Sequence, residues 1–104
     1  MHPMDELWTT IESRRGTDPE ESWTARMISR GPEKCAEKFG EESIEALIEA
    51  VKGDRNALIR ESADVLYHFC IMLASRGIAL DDVWAELASR KGTSGLAEKA
   101  ARRS

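Results

Sequence analysis

The sequence has no long apolar run. Its longest stretch without a charged residue, Val65 to Ser75, is 11 residues and contains His68, too short to span a bilayer. There are two cysteines, Cys35 and Cys70, in neither a CxxC pair nor a zinc-type spacing, which speaks against a thiolate metal site and a disulfide scaffold. Both are expected as small core residues of a reduced, cytoplasmic protein. Proline occurs 3 times and aromatic residues make up 6% of the chain; β-branched runs are few, so helix is favoured over sheet. Positive charge is not in excess. A net charge of −4 and a pI near 5.2 argue against a nucleic-acid backbone as the main partner. Met1 to Trp8 carries acids and no apolar stretch, unlike a secretory signal.

What remains is a chain of 104 residues, 41% hydrophobic and 33% charged, the composition of one small, soluble, helix-rich domain over 1–104. The charge is uneven. From Arg90 onward five basic residues (Arg90, Lys91, Lys99, Arg102 and Arg103) face the single acid Glu98. The basic tail, 92–104, is either a solvated end or a segment that closes over an anionic ligand.

Apolar spacing marks the elements. Met4, Leu7, Trp8 and Ile11 recur at i, i+3, i+4 and i+7, a short amphipathic helix ending by Gly16. Asp18-Pro19-Glu20-Glu21 looks like a helix start, with Asp18 as cap and Pro19 at the first helical position. The short helix that follows, with Trp23, Met27 and Ile28 expected inward, stops at Gly31. Pro32 opens a long helix to about Lys52, and Asp54 caps a second from Arg55 to about Arg76. Leu80, Val83, Trp84 and Leu87 define another from Asp81 to about Arg90, and Leu96 to Arg103 a weak last one. The fold class is all-α. Apolar residues spread around most of both long helices, more than one hairpin can bury. A four-helix-type bundle completed by homodimerisation is therefore expected.

The chemistry lies on the two long helices. Counting from Gly53, Glu45 and Glu61 are each 8 residues away, and Glu42 and Asp64 each 11. In an antiparallel hairpin with its tip at Gly53, these acids sit at matched heights, about 12 and 16 Å down. Carboxylates facing one another at one level repel unless a cation holds them. Clustered carboxylate oxygen without thiolate suits a hard cation such as Mg²⁺ or Mn²⁺, and Mg²⁺ favours phosphate co-ligands, so a polyphosphate is the natural substrate class. Lys34 and Lys38 precede the glutamates on the same face. Either they pair along the helix with Glu41, Glu42 and Glu45, or they stabilise phosphate charge; the spacing leaves both open. His68 is one turn beyond Asp64 and is expected as a hydrogen-bonded core residue, with orientation of a carboxylate as the other reading.

The run Gly31-Pro32-x-Lys34-x-x-x-Lys38-x-Gly40-Glu41-Glu42-x-x-Glu45, then Gly53-Asp54, then Glu61-x-x-Asp64-x-x-Tyr67-His68, resembles phosphoribosyl-ATP pyrophosphohydrolase of histidine biosynthesis. Asp18-Pro19-x-x-Ser22-Trp23-Thr24 upstream and Glu86-Leu87-x-x-Arg90-x-Gly92-x-Ser94-Gly95-x-x-Glu98-Lys99 downstream fit it too. The carboxylate motifs alone mark only the wider MazG-like all-α nucleotide pyrophosphohydrolases. The resemblance implies cleavage of the α–β phosphoanhydride of 1-(5-phosphoribosyl)-ATP to phosphoribosyl-AMP and pyrophosphate, the second step of that pathway. It also implies Mg²⁺ dependence and a homodimer whose subunits build the sites together. Some relatives are fused to the cyclohydrolase; 104 residues leave no room for it, so a single-activity form is expected. Glu42, Glu45, Glu61 and Asp64 are then the expected metal ligands, and Glu41 the group that orients the attacking water or a second ion. Lys34, Lys38 and Arg90 are the expected phosphate contacts, and Ser22 and Thr24 polar contacts to substrate. Trp23 stands where the family often has Tyr, so no hydroxyl contact is possible there. A dNTP pyrophosphatase on the same fold and a non-catalytic dimeric helical adaptor are the competing readings.

Overall fold

The computed structural model describes residues 1–92 together with 95, 99, 100 and 102. Five helices follow in order: α1 (Pro3–Arg14), α2 (Trp23–Ser29), α3 (Pro32–Lys52), α4 (Arg55–Ser75) and α5 (Leu80–Ser89). Among the described residues there is no strand. Most of the helix expected over Leu96 to Arg103 lies outside the described residues.

The α3–α4 hairpin forms as its punctuation predicts. Pro32 occupies the first turn of α3, where a missing N–H costs nothing. At the tip Gly53 takes a left-handed conformation, φ 79°, and its N–H bonds the Glu49 carbonyl at 3.0 Å. A side chain there would meet no neighbour but would strain the backbone. The Asp54 carboxylate then accepts the Ala57 N–H at 3.0 Å and starts α4.

The start of α2 differs from expectation. The Asp18 carboxylate accepts the Glu20 N–H at 2.9 Å, and its carbonyl accepts the N–H groups of Glu21 and Ser22 at 3.0 and 3.1 Å. That closes a turn instead of opening a helix. Ser22 is the cap, its Oγ accepting the Ala25 N–H at 3.1 Å. The Pro19 carbonyl is taken by Arg26 Nε at 3.0 Å, which holds the turn against α2.

The core sits at the open end of the hairpin. Ile11, Met27, Cys35, Cys70, Ile71, Ala74 and Leu80 are buried there, with Leu7, Trp8, Tyr67 and Phe69 packed around them. Both cysteines are thus core residues, as expected. Arg15 bridges α1 to the end of α4 by donating to the Ala74 carbonyl at 2.8 Å, which also accepts the Gly77 N–H at 3.0 Å. The tip end is bare by comparison. Ile44, Leu47, Val51 and Ile59 are exposed, Val51 to 82%. Trp23, expected inward, is 41% exposed.

Two measurements check this core. Ile71→Ala should lower the unfolding free energy by about 2–5 kcal/mol in urea titrations at fixed protein concentration, whereas a surface position would hardly register. Burial raises the Cys35 thiol, against a hydrogen bond from Ser75, and pushes Cys70 up to about 11. At mildly alkaline pH an aromatic disulfide reagent should therefore titrate neither thiol in the native protein and both after denaturation.

Candidate active site

The packing of α3 on α4 draws three carboxylates together. One oxygen each from Glu42, Glu45 and Glu61 lies within 4.8 Å of the others. The matched pair nearest the tip, Glu45 and Glu61, is thus brought together across the hairpin, and Glu42 joins from one turn along α3. Asp64 lies outside that trio and is exposed, yet it is near enough for its charge to act on His68. Glu42 is buried, 8% exposed, where a carboxylate without compensation is costly. One oxygen of Glu61 and one of Glu49 are buried with no hydrogen-bond partner. Converging, under-satisfied carboxylates of this kind form a donor set that suits a hard divalent cation.

Partial compensation comes from Lys38. Its Nζ is 3.3 Å from Glu42 Oε1 and 3.6 Å from Glu41 Oε2. Burial works against the ammonium, but the hydrogen bond and charge of Glu42, with Glu41 and Glu45 behind it, leave its pKa raised. Lys34 pairs with Glu37 at 3.2 Å. Both lysines thus make helix-internal ion pairs, each worth only a few tenths of a kcal/mol. Glu41 is exposed at the edge of the cluster.

His68 is buried at 5% exposure, and its Nε2 is 3.8 Å from Glu42 Oε1. Nδ1 has no partner. Burial lowers its pKa, which Glu42 and Asp64 oppose and Lys38 assists. The ring is wedged between the edge of Trp23, centroids 6.4 Å apart, and the Tyr67 ring at 5.1 Å. It is a core residue, as expected, but without the expected hydrogen bond: Nδ1 is unpartnered among the described residues and Nε2 faces a carboxylate at 3.8 Å.

Ser22 and Thr24 have duties inside the fold. Ser22 caps α2, and Thr24 is buried with its Oγ1 2.7 Å from the Tyr67 hydroxyl. That bond ties α2 to α4 beside His68. Arg90, at the end of α5, is bound to Glu86 of the same helix at 3.0 and 3.2 Å. A groove of about 200 Å³ opens next to the cluster, running from Glu41 past Lys38 and Lys34 to Arg30, with Trp23 and Met27 along its side. Arg30 was not among the expected site residues. It lies at the end of α2, outside the helix that carries the motif, and the one available signal was its spacing four residues before Lys34.

Removing one of the three clustered charges should have opposite effects with and without metal. In chelator, Glu61→Gln should raise the melting temperature by relieving repulsion. With excess Mg²⁺ the wild type should gain about 2.7 kcal/mol at a hundredfold excess over Kd, and the variant markedly less. An equal gain in both proteins would remove Glu61 from the cation site.

The chain matches the family model described as phosphoribosyl-ATP pyrophosphohydrolase over residues 4–91. It is 67% identical over 102 residues to a phosphoribosyl-ATP pyrophosphatase of Ruegeria pomeroyi, covering 98% of this chain and 97% of that one. It is 63% identical to the protein of that name from Jannaschia sp. (strain CCS1), covering 98% of this chain and 100% of that one. For the corresponding protein of Rhodobacter capsulatus the identity is 61%, over 98% and 99% of the two chains.

Proposed function

The chain belongs to the phosphoribosyl-ATP pyrophosphohydrolase family, and from that membership we infer that it hydrolyses 1-(5-phosphoribosyl)-ATP to phosphoribosyl-AMP and pyrophosphate in histidine biosynthesis. The observation that carries the reading is the convergence of Glu42, Glu45 and Glu61 within 4.8 Å in a chain of this family.

Glu42, Glu45 and Glu61 would hold Mg²⁺, with Asp64 as the further carboxylate that completes the set. Bound there, the cation neutralises polyphosphate oxygens and the charge that develops on the departing pyrophosphate. Lys38 and Lys34 bind the phosphate chain from the α3 side, exchanging their glutamate partners for phosphate oxygens. Glu41, exposed at the edge of the cluster, orients a water and accepts its proton. The water oxygen attacks one phosphorus of the α–β anhydride in line, and the bridging P–O bond breaks as pyrophosphate leaves. Neither cysteine takes part, since both are buried and their thiols are raised.

The working unit proposed is a homodimer. Ile44, Leu47, Ile48 and Val51 on α3 and Ile59 and Leu66 on α4 are exposed. On the helix, Leu47 and Val51 lie across from Glu42. An apolar face of that extent on a small chain is the mark of an association surface. A second copy of the same hairpin would complete a four-helix bundle while leaving the carboxylates accessible. A nucleotide substrate and two buried free thiols support a cytoplasmic location; among the described residues no single helix is long and apolar enough to cross a membrane.

Purified protein with Mg²⁺ should release pyrophosphate from phosphoribosyl-ATP; turnover of dNTPs in its place would favour the house-cleaning activity. Glu45→Gln and Asp64→Asn should each cut kcat/KM by about a hundredfold or more and keep the oligomeric state. Full activity in both would leave the acidic stripe as a mere solvated face. Light scattering should give the dimer mass for the wild type and a smaller mass, or aggregates, for Leu47→Glu.

A further inference from the structure

The groove beside the cluster has more positive charge than the phosphoanhydride needs. Arg30, Lys34 and Lys38 follow one another at intervals of four residues along it. Lys38 is engaged by Glu42 and Glu41, and Lys34 by Glu37. The Arg30 side chain has no ion pair or hydrogen bond among the described residues. It lies at the far end of the groove from Glu41 and also borders a second hollow beside Gly31, Pro32, Glu33 and Arg76. From Lys34 to Glu42 the rise of α3 is about 12 Å, and Arg30, at the end of α2, precedes that helix. Between the two ends Trp23 and Met27 form the apolar side of the groove, Trp23 with 41% of its surface open.

The substrate inferred above has two anionic ends. Its triphosphate is on the adenosine ribose, and a separate phosphate ester is on the ribose attached to the far edge of the purine. With the triphosphate at the carboxylates, the second ester must lie away from them, across a flat aromatic base. We propose that the Arg30 end of this groove is the subsite for that second phosphate ester, with Arg30 as its main ligand and Trp23 as the wall against which the purine lies. The inference rests on the functional reading above and deepens it. Arg30 is the residue that separates phosphoribosyl nucleotides from nucleotides lacking the second ester. A guanidinium suits the task because it offers parallel N–H donors to two phosphate oxygens and stays charged. Glu37 and Glu41, which also line the groove, pair with Lys34 and Lys38 in the structure, and neither pairs with Arg30.

Calorimetry with two nucleoside monophosphates, one of them the product, tests this without hydrolysis. Phosphoribosyl-AMP and AMP, each with Mg²⁺, are titrated into wild type, Arg30→Ala and Arg30→Lys. Arg30→Ala should weaken phosphoribosyl-AMP about tenfold and leave AMP unchanged, and Arg30→Lys should keep part of the lost affinity. In turnover, KM for phosphoribosyl-ATP should rise while kcat stays within about twofold. Equal weakening of both nucleotides, or of neither, overturns the subsite. Failure of the wild type to cleave phosphoribosyl-ATP overturns the functional reading along with it. A wild type that is active beside an indifferent Arg30→Ala overturns the subsite alone.

Discussion

Mutual repulsion among Glu42, Glu45 and Glu61 is the constraint around which the rest of the chain is arranged. Three carboxylate oxygens within 4.8 Å of one another, one residue of the three buried, would drive two free helices apart. The hairpin holds them because its other end is bolted. Cys35 on α3 and Cys70, Ile71 and Ala74 on α4 are packed with Ile11, Met27 and Leu80, so α3 and α4 cannot splay without opening the core. Stability and site are therefore separated along the same two helices. The open end supplies burial, and the middle stores electrostatic stress that a cation can relieve.

The second support is lateral. Tyr67 and His68 are consecutive on α4 and point to different tasks. The Tyr67 hydroxyl holds Thr24 of α2, while the His68 imidazole lies under Glu42. Trp23, next to Thr24, meets the His68 ring edge-on. One short helix, started by the Ser22 cap, thereby fixes both the floor beneath a site carboxylate and the aromatic side of the adjoining groove. Its seven residues would not hold a helix alone; tertiary contacts do.

Much of this was legible before any coordinates. Helix boundaries at Pro32, Gly53 and Asp54 follow from local chemistry that acts within one turn, and the count of 8 about Gly53 placed Glu45 opposite Glu61. The count of 11 was less decisive for Asp64. Rise along a helix sets height, while the direction of a side chain depends on how the two helices are rotated against each other, which no count contains. The Asp18 turn was missed because two competent caps stand four residues apart and only the packed structure chooses between them. The roles of Arg15, Thr24 and Arg30 depend on partners distant in sequence or on a groove formed by two elements, so residue type alone could not assign them.

Lys38 adds a consequence of its own. Its one positive charge is shared between Glu42 and Glu41, so a divalent ion held at Glu42 would compete with the ammonium for that carboxylate. The released charge would then be available to an anion. By thermodynamic linkage, whatever the cation does for anion affinity the anion does equally for cation affinity. A single flexible side chain would thus couple the two ligands, and the pair should load together more tightly than either alone.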